Sequence, residues 1–238
     1  MNMSMGQICR GSSLGDQIYS LACNSKFRVY VDVGTWNGKG STLCLMEGLK
    51  GRPEATVYSV EANGQMFNEA VKNWTPCPDN LKLIWGKLSG VMMHEPAIKA
   101  HPLFYKVKEH YDLHYRQDCI DFSRAPIIDL PPTIDVAILD GGEWSSEGDL
   151  ERVLNHKPTI IVLDDTAVMK NYDNRNKLLS LGWRIQCENS QDRNGWSILS
   201  APSRGNYKVI TEDDKYFESL DQFYDRLEAE GIFKRELQ

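Results

Sequence analysis

The chain has 238 residues and a mass of 27.1 kDa, which fits one α/β domain spanning residues 1–238. With 41% hydrophobic and 25% charged residues it has the balance of a folded globular chain, which excludes wholesale disorder. Acidic residues number 33 against 27 Lys and Arg, a net charge of −6, so neither a nucleic-acid partner nor an anionic membrane surface is expected.

The N-terminal residues Met1-Asn2-Met3-Ser4-Met5-Gly6 lead into polar sequence with no apolar core of a leader peptide, and a cytoplasmic location is expected. No run of about 18 apolar residues predicts a membrane span. Phe27 to Val33 is a β-branched and aromatic run that stops at Gly34, the pattern of a buried strand meeting a turn. Ser41 to Leu49 places Leu43, Met46 and Leu49 at helical spacing. Thr56 to Val60 predicts a second strand, Gln65 to Trp74 a helix, and Leu81 to Trp85 a third strand. Residues of about 90–130 are too long for a simple crossover and predict a helical cap over the site. Ile134 to Leu139 is a fourth strand, followed by a helix over Ser146 to Asn155 that Ser145 or Ser146 is placed to cap. Thr159 to Leu163 is a fifth strand, and Val168 to Ser180 a helix. Trp183 to Cys187 and Trp196 to Ser200 predict an antiparallel pair turning through Asp192-Arg193-Asn194-Gly195. A C-terminal helical extension is expected over about 203–238. The six cysteines are widely and irregularly spaced, which argues for reduced thiols rather than a disulfide framework or a zinc cage.

Strands alternating with helices, with nearly all-apolar central strands, predict a doubly wound, mostly parallel seven-stranded sheet covered on both faces, its core over about 27–200. Such a sheet binds ligands outside the carboxyl ends of its strands. After the first strand comes Asp32-Val33-Gly34-Thr35-Trp36-Asn37-Gly38-Lys39-Gly40-Ser41-Thr42. Gly34 and Gly38 allow a tight bend, and the next helix aims free N–H groups into the same space. Glu61 ends the second strand, where an acid can accept both hydroxyls of a ribose. Trp36 stands where a dinucleotide fold needs its second glycine, which leaves little room for a pyrophosphate and argues against a dehydrogenase.

This stretch resembles the first motif of class I S-adenosylmethionine-dependent methyltransferases, in a variant with a bulky middle. The resemblance implies a Rossmann-like methyltransferase fold and S-adenosylmethionine as cofactor, held by Gly34, Thr35, Trp36, Gly38, Glu61 and Asp140.

The fourth strand ends in Leu139-Asp140-Gly141-Gly142-Glu143-Trp144 and the fifth in Leu163-Asp164-Asp165-Thr166. In a parallel sheet both ends emerge on one face, so Asp140, Asp164 and Asp165 are expected to converge. Three carboxylates repel unless protons or a cation offset them. Mg²⁺ or Mn²⁺ held by these three acids would do so and would polarise an acceptor hydroxyl. Capping of the following helix is the other reading of Asp164-Asp165. The layout resembles metal-dependent O-methyltransferases, including those that act on sugars of macrolide and aminocoumarin antibiotics. Gly142 departs from their Asp-Gly-Asp pattern. Asp140 is then the expected base, with or without metal, and Glu143 a second candidate. Asp-Gly-Gly-Glu-Trp also resembles glycan-modifying methyltransferases.

His110 and His114, four apart, can share a helix face, but no third ligand is placed beside them for zinc. Trp36, Trp85 and Trp144 are equally readable as pocket walls or as core. The expectation is an O-methyltransferase acting on a sugar or glycan hydroxyl, in a chain able to form a homo-oligomer. The alternatives are a small phenolic acceptor or a non-catalytic nucleotide-binding module.

Overall fold

In the computed structural model, which describes residues 7–202, seven strands form one sheet. They are β1 (Val29–Val33), β2 (Thr56–Glu61), β3 (Leu81–Trp85), β4 (Val136–Leu139), β5 (Ile160–Asp164), β6 (Arg184–Asn189) and β7 (Trp196–Ser200). Their order is β3-β2-β1-β4-β5-β7-β6, with β7 antiparallel to both β5 and β6 and every other neighbouring pair parallel. This is the expected doubly wound sheet closed by an antiparallel edge pair. The extension over about 203–238 lies outside the described residues.

The helices are α1 (Ser13–Cys23), α2 (Ser41–Gly48), α3 (Gly64–Asn73), α4 (Glu95–Ala100), α5 (Tyr111–Arg124), α6 (Ser146–Leu154) and α7 (Met169–Ser180). Successive side chains of each strand point to opposite faces. Tyr30, Val136, Ile138 and Val162 therefore pack on one side, against Leu14 and Ile18 of α1 and Leu45 of α2. Val31, Val33, Ala137, Leu139 and Leu163 pack on the other, against Leu150 and Val153 of α6 and Leu178 of α7. Each fully buried aliphatic side chain contributes about 1.5–3 kcal/mol, so these two layers supply most of the driving force.

Helix α1 is an addition to the predicted elements. Its signals are ordinary: the Ser12 side chain accepts from the backbone N–H of Gly15, and Leu14, Ile18 and Ala22 repeat every four residues along its buried face. Between β3 and β4 lie α4, a 3₁₀ turn (Phe104–Lys106) and α5, whose Ile98 and Tyr111 form a small separate core with Trp144 after β4 and Met169 of α7. Among the described residues, no helix is long and apolar enough to cross a membrane.

Candidate functional site

Register sets the site. Val33 pairs with Val60 on one side and Leu139 on the other, and Leu139 pairs with Leu163. One residue further along each strand stand Gly34, Glu61, Asp140 and Asp164, which therefore share one rim of the sheet. A cavity of about 660 Å³ opens there under the segment between β3 and β4.

In the loop after β1, Gly34 has φ +97°, and a Cβ on it would lie 2.2 Å from the carbonyl oxygen of Asp140. Only glycine fits that approach. Thr35 is buried and shares a 2.6 Å hydrogen bond with Ser59 of β2. Trp36 lies in the left-handed region at φ 51° yet is half exposed and lines the cavity. Its backbone N–H donates to Oε2 of Glu61 at 2.6 Å, and the N–H of Asn63 donates to Oε1 at 2.8 Å. Burial pushes the Glu61 carboxyl up to about 7, against the pull of those two bonds. Each of its oxygens has a further lone pair available to a ligand. Beneath the loop, Asp32 is fully buried and accepts from Ser41, Thr42 and Ser59, which ties β1 to the start of α2 and to β2.

Gly38 departs from the expectation. It is not part of the cavity wall; its carbonyl accepts from Trp74 Nε1 at 2.9 Å, and a Cβ there would meet that indole at 2.5 Å. Its φ of +77° and its contact with α3 explain the glycine, so it shapes the loop from behind.

Asp140, Asp164 and Asp165 do come together: their carboxylate oxygens lie within 4.8 Å of one another. Neither Asp164 nor Asp165 caps α7, whose N-cap is Val168 with no side-chain cap bond. Two protein cations sit among them. Lys170 Nζ donates to Asp140 Oδ1 at 2.6 Å, to the Asp140 carbonyl at 3.2 Å and to Asp165 Oδ2 at 3.3 Å. Arg193 pairs with Asp164, and Asn194 donates to Asp165 Oδ1 at 3.0 Å. Burial works against the Lys170 ammonium, but Asp140, Asp165 and Glu143 outweigh it and hold it protonated. Burial raises Asp164 to about 7, with Asp140 and Asp165 adding to the rise and Arg193 opposing it. By spacing alone the three acids suit a divalent ion. With an ammonium between Asp140 and Asp165 and a guanidinium on Asp164, the residues present do not fit one.

The rest of the cavity is acidic. Glu143 follows β4, and its Oε1 is buried with no hydrogen-bond partner. Burial pushes its carboxyl up to about 7, opposed by Lys170. Asp149 of α6, touched by Ser145 Oγ at 3.3 Å, is likewise raised by burial to about 7, and Asp118 of α5 to about 6. Ser145 thus bonds forward to Asp149, and Ser146 bonds to the Lys170 carbonyl; neither side chain caps α6 as the sequence suggests. Helix α5 is tied to the rim by Asn63 Nδ2, which donates to Asp121 at 2.8 Å. Trp144 belongs to the small core beneath α4 and α5, not to the cavity wall, and Trp85 also lies off the wall. The His110 and His114 rings stack at 5.8 Å, and among the described residues no metal-ligating cluster includes them.

Lys170, Arg193 and Asp118 are site residues that motif reading does not reach. A lysine six residues after Asp164 and an arginine in a hairpin turn both look like solvated charges.

No family model matches the chain, and no curated protein matches it in sequence. Its fold does have relatives among solved structures, and it is the Rossmann-like methyltransferase fold. The SAH-bound Podospora anserina methyltransferase PaMTH1 superposes with a TM-score of 0.53 at 13% identity, over 79% of this chain and 78% of that one. A Staphylococcus aureus protein assigned as a caffeoyl-CoA O-methyltransferase gives 0.52 at 12% identity, over 80% and 84%. A precorrin-6y C5,15-methyltransferase from Geobacter metallireducens gives 0.52 at 14% identity, over 83% and 92%.

Proposed function

We propose that this protein transfers a methyl group from S-adenosylmethionine to a hydroxyl of a sugar or glycan. The observation that carries the reading is the charge of the cavity. Carboxylates from Glu61, Asp118, Asp121, Asp140, Glu143 and Asp149 line it beside the Asp164-Asp165 pair, with Lys87 and Lys170 as the lysines among the described lining residues. That lining suits a cationic sulfonium and a neutral polyhydroxy acceptor. It repels a pyrophosphate or an acceptor carried on phosphates, which weighs against a dinucleotide and against a coenzyme A ester.

Gly34, Thr35, Trp36 and Glu61 are the residues for the cofactor, with Glu61 accepting the ribose hydroxyls through its remaining lone pairs. When bound, the cofactor supplies an electrophilic methyl carbon. The protein's share is then alignment of the acceptor oxygen for in-line displacement and removal of its proton. Asp140, the base expected from sequence, is held in an ion pair with Lys170. Glu143 suits the base role better: it lines the cavity without an ion-pair partner of its own among the described residues, and a carboxyl titrating about 7 takes a proton readily near neutral pH.

Calorimetry of the full-length protein with S-adenosylhomocysteine tests the cofactor assignment. Saturable binding with one site per chain is expected, and no binding would remove the methyltransferase reading. Methylation assays against a panel of free sugars, glycosides and catechols then separate the sugar acceptor from a phenol.

A further inference from the structure

We propose that the Lys170 ammonium is the resident cation at the strand ends, and that the methyl transfer proposed above runs without a divalent metal ion. The inference rests on that reading for the reaction itself, but the evidence for the ammonium is independent of it.

Three features fix Lys170 in place. First, its three N–H groups meet three acceptors: Asp140 Oδ1, the Asp140 carbonyl and Asp165 Oδ2, at 2.6, 3.2 and 3.3 Å. An ammonium has three donors, so none is left over. Second, the first turn of α7 is bolted to the sheet. Asn171 Nδ2 donates to the Leu139 carbonyl at 3.0 Å and to the Asp164 carbonyl at 2.7 Å. Asn174 Nδ2 donates to Asn171 Oδ1 at 2.8 Å and to the Ser146 carbonyl at 3.0 Å, and Ser146 Oγ donates to the Lys170 carbonyl. Third, the lysine side chain is only 9% exposed, so it is not a surface residue that has folded inward.

The other two acids have further partners. Asp164 pairs with Arg193, and Asp165 also accepts from Asn194. Three carboxyl groups thus face two fixed positive charges. A divalent ion on the same oxygens would stand within contact distance of the ammonium, a like-charge juxtaposition that raises its cost of binding. Lys170 also lines the cavity beside Asp140. It supplies there the fixed positive charge that a metal would otherwise bring to these carboxylates. Its role is that of a positioning residue, since it holds the Asp140 carboxylate in one orientation.

The test is Mn²⁺ binding to the full-length native protein, read by electron paramagnetic resonance, with S-adenosylhomocysteine affinity measured on the same samples. We expect no stoichiometric Mn²⁺ site at millimolar ion and no change in the S-adenosylhomocysteine isotherm on adding EDTA. Weak uptake that Asp165→Asn leaves unchanged reports the acidic surface and agrees with the proposal. A stoichiometric site that Asp165→Asn abolishes overturns it. Lys170→Met removes the charge while keeping most of the stem, and is expected to raise Mn²⁺ affinity at least about a hundredfold; Lys170→Arg is expected to exclude the ion as the native chain does. A folded Lys170→Met chain with unchanged Mn²⁺ uptake also overturns the proposal. If Lys170→Met fails to fold, the native titration decides. Failure to bind S-adenosylhomocysteine would count against the methyltransferase reading, whereas the Mn²⁺ result bears on the cation alone.

Discussion

A Cβ on Gly34 would lie 2.2 Å from the carbonyl oxygen of Asp140, so the ends of β1 and β4 touch through bare backbone. No side chain fits between them, and the φ of +97° is one that side chains rarely adopt. Gly34→Ala is therefore expected to destabilise the protein by at least about 2 kcal/mol, by left-handed strain plus the clash. Gly38→Ala makes the contrast. The added methyl meets the Trp74 side chain rather than the cavity, so stability is expected to fall while S-adenosylhomocysteine affinity stays within about twofold. Denaturant titration and calorimetry on the two variants separate a rim residue from one behind it.

Glu61→Gln keeps the size of the side chain and removes its charge. Hydrogen bonds to a charged group are worth about 1.5–3 kcal/mol, so S-adenosylhomocysteine is expected to bind roughly tenfold to a hundredfold more weakly. Calorimetry reads this directly. Native affinity in a folded Glu61→Gln chain would take Glu61 out of the binding site.

Glu143→Gln is expected to lower the turnover rate by roughly a hundredfold to ten-thousandfold, the usual range for a general base, with little change in S-adenosylhomocysteine affinity. In the native protein the rate is expected to fall as pH drops through about 7. A variant with native turnover would return the base role to Asp140 or to water.

Burial raises Glu61, Glu143 and Asp149 to about 7 each. In the unfolded chain these carboxyls titrate near 4, so between roughly pH 4 and 7 the native state binds more protons than the unfolded state. Unfolding free energy then decreases as pH rises through that window. The unliganded protein is expected to have a Tm several degrees higher at about pH 5.5 than at about pH 8. Scanning calorimetry across that range checks the sign. A Tm that climbs with pH instead would mean that the native carboxyls are already ionised.

What could be read from sequence follows what is local along the chain. Gly34, Glu61, Asp140 and Asp164 each end or follow an apolar run, and parallel pairing then puts them on one rim without further information. The two cations obey a different rule. Whether Lys170 faces the sheet depends on the phase of α7, which Asn171 sets by bonding to carbonyls of β4 and β5. Arg193 reaches Asp164 across 29 residues, through a hairpin whose turn residues look like ordinary turn chemistry. Three converging acids suggest a metal when read alone, because the cations beside them carry no motif and charge balance belongs to the folded site. Gly38 shows the complementary limit. A positive φ explains the glycine, but only the position of Trp74 shows which side of the loop it serves.

The β6–β7 hairpin has one more consequence, for the order in which the site is built. Its turn carries Arg193 and Asn194, the partners of Asp164 and Asp165, and it is the last part of the sheet to leave the ribosome. Until β7 zips onto β5, the aspartates after β5 lack those two partners. Closing the edge of the sheet and supplying these two partners are thus a single event. A chain ending before β6 would expose the open edge of β5 and an unbalanced acidic rim together, so the hairpin acts as the clasp that makes domain completion and site assembly cooperative.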